Sequence, residues 1–79
     1  MSDEFAQRVI DCIAKTQHIP AENIKLDSSF EQLGIDSLDG INILFALENE
    51  FNVNIPDSSA QQVKTVRDMA DGVFKLTQP

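Results

Sequence analysis

Residue types that do chemistry elsewhere meet near the middle of the chain, in Gly34-Ile35-Asp36-Ser37-Leu38-Asp39-Gly40. A serine hydroxyl becomes a nucleophile on its own chain only with a base in hydrogen-bond reach and a third group to orient that base. The one histidine, His18, falls at the end of the first predicted helix, and no signature links it to a serine. The residues around Ser37 also lack the flanking glycines of a nucleophile elbow. A calcium loop fares no better. With Gly40 as the turn glycine, the first ligand position falls on Ile35, and no carboxylate occupies the closing position. Cys12 lies on the apolar stripe of the first helix, which suits a buried structural thiol. Self-contained catalysis and a coordinated metal site are therefore not expected.

The elements that must hold this segment follow from the apolar spacing. Phe5, Val9, Cys12, Ile13 and Thr16 recur at helical intervals between Asp3 and Gln17, with Ser2 or Asp3 available as N-cap. His18, Ile19 and Pro20 end that helix. The run to Asp36 has no sustained period, but Ile24, Leu26, Phe30 and Leu33 pin a long loop to the core. Gly34 bends the chain, and Asp36 or Ser37 caps a second helix running to about Asn52, with Asp39 favouring its positive end. Pro56 and Asp57 mark a break, followed by one short turn of helix. Thr65 and Asp68 form a capping box, from which Val66, Met69, Ala70, Val73 and Phe74 trace a last core helix. No segment alternates with period two. The expected class is all-α: a small helical bundle of three main helices plus one short helix, with a long loop between the first and second, as one domain over residues 1–79.

The second helix carries more apolar surface than a small bundle buries. Gly40, Leu44, Leu47 and Phe51 share one face beside Ile43, whereas Leu38, Ile41 and Phe45 form a stripe turned by roughly a third of a circle. That stripe either wedges under the long loop or faces solvent and awaits a partner.

Composition narrows the partners. The chain has 79 residues, 42% of them apolar, and its single cysteine cannot close an intrachain disulfide, which fits a reducing, cytoplasmic compartment. The longest apolar run, Ile43 to Leu47, is far short of a membrane span, and the N-terminus has no signal-peptide character. Thirteen acids against six bases give a net charge of −7. Between Lys25 and Lys64 stand Asp27, Glu31, Asp36, Asp39, Glu48, Glu50 and Asp57 with no Lys or Arg among them, so the middle of the chain is the anion and its ends are balanced. Phosphate backbones and anionic headgroups are repelled, so neither nucleic acid nor a membrane surface is an expected partner. The acidic stretch serves solubility, or docks on basic protein surfaces.

Asp36-Ser37-Leu38, preceded by Phe30-x-x-Leu33-Gly34 and followed by Leu47-Glu48-x-Glu50-Phe51, Ile55-Pro56 and Thr65-Val66, resembles an acyl carrier protein (ACP) over nearly the whole chain. The tripeptide alone is a weak signal; these motifs together, in family order and at family spacing, are a specific one. The resemblance implies that Ser37, between Asp36 and Leu38, is the attachment point for 4′-phosphopantetheine, delivered from coenzyme A by a Mg²⁺-dependent phosphopantetheinyl transferase. It implies a carrier rather than an enzyme, presenting acyl thioesters to enzymes of fatty acid, lipid or polyketide biosynthesis. Acyl-ACP synthetases, ketosynthases or acyltransferases with basic docking patches would then be its partners. Asp36, Leu38, Asp39, Ile41, Phe45, Glu48 and Glu50 would form the docking face, and Leu44, Leu47, Val63 and Met69 a cleft for the acyl chain. Asn42, Asn49 and Asn54 stand where such carriers often have acids, which leaves two roles open: a specialised lipid, polyketide or peptide pathway, which they favour, and general fatty acid synthesis. A free-standing monomer is expected. The rival from another class is an acidic interaction module in which Ser37 stays unmodified.

Overall fold

The computed structural model describes residues 2–56 and 63–77. Three helices, α1 (Asp3–Gln17), α2 (Ser37–Phe51) and α3 (Val66–Thr77), enclose the core, with a 3₁₀ turn at Ala21–Asn23 in the long loop. The short helix expected after Pro56 lies outside the described residues.

Ser2 caps α1, its hydroxyl accepting the Phe5 N–H at 3.1 Å. Asp3 and Glu4 stand in the first turn and Lys15 in the last, each at the end of the dipole that favours its charge. The buried stripe is Ala6, Val9, Ile10, Ile13 and Ala14, at intervals of three and four. His18 closes the helix in the left-handed region (φ 57°), an exposed C-cap rather than a catalytic base. Cys12 is half-buried beside the core, and burial, with the Glu50 carboxylate adding to it, raises its thiol pKa above the usual range.

The long loop is fastened at both ends. Ile24 and Ile35 are buried, and Leu26, Phe30 and Leu33 pack against the core. Between them, Ser29 and Gln32 exchange backbone-to-side-chain bonds of 3.0 Å. Gly34 then turns with φ 73°, a conformation that suits glycine, and Ile35 N–H returns to the Phe30 carbonyl at 2.9 Å. One side of the loop is stitched to the start of α3. Phe30 N–H donates to the Lys64 carbonyl, Val66 N–H to that of Ser28 and Arg67 N–H to that of Leu26, each at 3.0 Å. The antiparallel bridge Ser29–Thr65 in this seam is extended pairing that the apolar pattern did not announce.

That seam also finishes the N-terminus of α3. The first three amides of a helix lack intrahelical acceptors. Here Val66 and Arg67 donate to the loop, and Asp68 N–H donates to the Thr65 hydroxyl at 3.2 Å. The capping box closes in reverse, with the Asp68 carboxylate accepting from Lys64 N–H at 3.1 Å and Thr65 N–H at 3.2 Å.

Ile43 and Leu47 of α2 are wholly buried against Val9 and Ile13 of α1 and Val66, Ala70 and Val73 of α3. At the far end from Ser37, the ring of Phe5 meets Phe51 at 4.8 Å and Phe74 edge-on at 5.2 Å between centroids. The Arg8 guanidinium lies 4.4 Å from the centroid of the Phe51 ring. This clasp ties the last turns of α2 and α3 to the first of α1.

Candidate functional site

Asp36 is the N-cap of α2, and its Oδ1 accepts the Asp39 N–H at 2.9 Å while its carbonyl accepts the Gly40 N–H at 2.9 Å. Ser37 is the first helical residue, exposed to solvent. The cap leaves the Ser37 and Leu38 amides as the two unclaimed donors of this helix end, and neither donates to a described residue. An oxygen-rich anion on the Ser37 hydroxyl would thus sit at a helix N-terminus with free N–H groups and the positive end of a dipole. Asp36 Oδ1 accepts the Asp39 N–H, and no hydrogen bond joins this carboxylate to the Ser37 hydroxyl, so it stands as a cap rather than as a base poised on Ser37.

Ser37 stands on the rim of a cleft of about 430 Å³ whose walls come from three elements. Phe30 and Ile35 are contributed by the loop, Gly40, Ile41 and Leu44 by α2, and Met69 by α3, with Val63 ahead of it. The lining is mostly apolar apart from Asp36 and Ser37 at the mouth. Of the residues expected to form an acyl cleft, Leu44, Val63 and Met69 line this one. Leu47 does not line the cleft; it is 0% exposed and belongs to the core. A second groove of about 440 Å³, running along α3 to Leu76, shares Leu44, Val63 and Met69 with the first.

The stripe on α2 does not wedge under the loop. Leu38 is 73% exposed, Ile41 47% and Phe45 59%, because Ile24, Ile35 and Phe30 already fill the space beneath the loop. Asp39 is half-buried beside Leu38 in the first turn. The other two acids expected on this face are engaged elsewhere. Glu48 is half-buried, and its Oε2 accepts the Ile55 N–H at 3.0 Å, tying the chain after α2 back to the helix. Glu50 is paired with Arg8 of α1 at 3.0 Å. The structure thus brings Asp36, Ser37, Leu38, Ile41 and Phe45 together and leaves Asp39 on the same flank of α2 as Glu50, the residue paired with Arg8 of α1.

Sequence reasoning missed Phe30, Ile35 and Gly40 as cleft residues. Phe30 was legible only as a loop anchor and part of a motif, Ile35 carried no separate signal, and Gly40 was placed on the Leu44 face without being assigned to a cleft. Among the described residues no group of His, Cys, Asp and Glu is arranged to hold a metal ion.

Comparison with known proteins accords with this geometry. Residues 7–73 match the family described as "Phosphopantetheine attachment site". The chain is 38% identical over 73 residues to an acyl carrier protein of Porphyromonas gingivalis, covering 91% of this chain and 94% of that protein. It is 41% identical over 70 residues to an acyl carrier protein of Rickettsia bellii, covering 87% and 81% of the two chains. With an acyl carrier protein of Phaeodactylum tricornutum the identity is 43% over 70 residues, covering 87% and 91%. A solvent-facing serine at a helix N-terminus beside an apolar cleft, with no hydrogen bond from its hydroxyl to a base among the described residues, suits a carrier, and the chain belongs to the phosphopantetheine-attachment family, among the acyl carrier proteins.

Proposed function

We propose that Ser37 carries 4′-phosphopantetheine and that the chain acts as a single carrier domain, shuttling acyl groups between enzymes. The observation that carries this reading is the exposed Ser37 hydroxyl at the first residue of α2, between two free amides and the mouth of an apolar cleft. The residues fit the group. A phosphodiester on Ser37 stays in solvent, meets the dipole of α2, and leaves the Asp36 cap in place. When bound, the group supplies a terminal thiol that holds acyl chains as thioesters.

The chain's own residues do the rest. Ser37 provides the oxygen of the new ester, and the transferase must take its proton, since the Asp36 carboxylate is turned to Asp39 N–H. Phe30, Ile35, Leu44, Val63 and Met69 offer apolar shelter beside the attachment point, which keeps a bound chain out of water between encounters. Leu38, Ile41 and Phe45 give partners an apolar contact next to Ser37. The partners are a phosphopantetheinyl transferase and enzymes that load, extend or transfer acyl groups in fatty acid, lipid or polyketide synthesis. The asparagines at 42, 49 and 54 favour a specialised pathway over the general one. A cytoplasmic location accords with the lone, half-buried Cys12; no described helix is long and apolar enough to cross a membrane.

The test is the intact mass after incubation with coenzyme A, Mg²⁺ and a phosphopantetheinyl transferase, beside a Ser37→Ala control. Gain of one phosphopantetheine by the wild type alone is the expected result. No gain with the organism's own transferase and a folded chain would leave the unmodified interaction module as the better reading.

A further inference from the structure

A helix winds by about 100° per residue, so the line of α2 opposite the buried Ile43 and Leu47 carries Leu38 and Phe45, with Asn49 and then Asn42 to one side and Ile41 to the other, toward the cleft and Glu48. All five apolar and amide side chains are exposed. No carboxylate lies on that line. Asp39 and Glu50 fall on the flank, where Glu50 is neutralised by Arg8 at 3.0 Å. Glu48 lies at the opposite margin, its carboxylate drawn to Ile55 N–H at 3.0 Å. Among the described residues of α2 and its cap, negative charge free of a cation or a backbone bond beyond the helix's own cap is therefore confined to Asp36 and Asp39, at the Ser37 end.

We propose that the surface by which partners reach Ser37 is polarised along α2, anionic at its start and uncharged over the rest, and that it fits one kind of enzyme surface. That surface has an apolar pocket for Phe45, uncharged hydrogen-bonding groups opposite Asn42 and Asn49, and a cationic group only at the Ser37 end. Charge complementarity dictates the choice. A row of lysines or arginines laid along α2 would meet a phenyl ring and two amides and would be desolvated without an opposite charge to offset the cost. An uncharged pocket loses only water from apolar surface. The inference rests on Ser37 being the attachment point.

The experiment uses the full chain and the transferase that loads it, reading kcat/KM for the chain at saturating coenzyme A. Between about 50 and 300 mM NaCl the wild-type value should fall less than about threefold. Phe45→Ala should lower it by about tenfold or more at unchanged melting temperature, since the ring is exposed. Asn42→Asp and Asn49→Asp should lower it as well, because no cation awaits the added charge. A salt-dependent fall of more than about tenfold overturns the proposal. So does a Phe45→Ala value within about twofold of wild type, or a gain on adding either carboxylate. A wild-type chain that the organism's own transferase leaves unmodified overturns the reading of Ser37 instead, and this inference with it.

Discussion

Replacing Gly40 by alanine tests the shape of the cleft through the stability of the helix that forms it. Gly40 is the first residue of α2 whose amide is bonded within the helix, donating to the Asp36 carbonyl at 2.9 Å, and its backbone is ordinary right-handed helix. A glycine here adds unfolded-state entropy and nothing in contact, at a cost of up to about 1 kcal/mol relative to alanine. A Cβ built at Gly40 finds no heavy atom within 4 Å, so the methyl group enters open cleft without a clash. The expected gain is about 0.5–1 kcal/mol, discounted at the lower end because the first turn is less constrained than a helix interior. In a domain of this size that raises the melting temperature by about 2–8 °C. Urea unfolding of wild type and Gly40→Ala, with unchanged slope, reads the difference directly. Gly72→Ala is the internal standard: it lies inside α3, its Cβ also meets open space, and it should gain about 1 kcal/mol. Loss of stability in Gly40→Ala alongside a gain in Gly72→Ala would show the cleft wall in contact at Gly40, and the open mouth beside Ser37 would be wrong.

Leu47→Ala removes a wholly buried side chain and should cost about 2–5 kcal/mol in urea unfolding; a loss below about 1 kcal/mol would return Leu47 to the cleft. Burial first, and then the Glu50 carboxylate, raise the Cys12 thiol pKa, so at mildly alkaline pH its alkylation should be several-fold slower in the folded chain than in urea. Equal rates would show the thiol to be open to solvent. Asp68 is held below the ordinary carboxyl range by the amides of Lys64 and then Thr65. A depressed carboxyl stabilises above its unfolded pKa of about 4, and that contribution is lost as pH falls through the lower folded value. Asp68→Asn should therefore lose less stability than wild type as the solution is acidified below about pH 4. Parallel acid limbs would remove Asp68 from the cap.

The parts of this fold legible in the sequence are those written in side chains close together along the chain. Ser2 and His18 bound α1 at the expected residues, and Thr65 with Asp68 announces both partners of a capping box. Asp36 and Ser37 mark the start of α2 in the same way. What escaped was written in the backbone or across long separations. The seam of loop and α3 is built from main-chain donors of Phe30, Val66 and Arg67, which no residue type advertises. The pairing of Arg8 with Glu50 joins residues far apart in sequence, and Glu48 reaches past a turn to Ile55. Both acids looked like docking charge because spacing along a helix gives the face of a residue but not what its side chain meets there. Leu44 and Leu47 show the same limit. They share one stripe, yet a rotation of about 60° separates cleft from core.

The starts of α2 and α3 bear different loads, and the difference explains how a small domain keeps the Ser37 hydroxyl exposed and unengaged among the described residues. At α3 the loop takes the Val66 and Arg67 amides and Thr65 takes that of Asp68, so the helix start is committed to holding the fold together. At α2 the cap takes only the Asp39 amide, and the turn before it, from the Gly34 bend to the Ile35 bond with Phe30, fixes the entry of the chain. Ser37 is thereby placed by its neighbours, and none of the bonds that place it involves its own hydroxyl. Alanine at this first helical position keeps the Asp36 cap, the turn and the buried Ile43 and Leu47. Ser37→Ala should melt within about 0.5 kcal/mol of wild type while losing all loading, which makes it a probe of the chemistry alone. A large loss of stability in that variant would mean that the hydroxyl helps to hold the start of α2, and that the site is less separate from the fold than its bonds indicate.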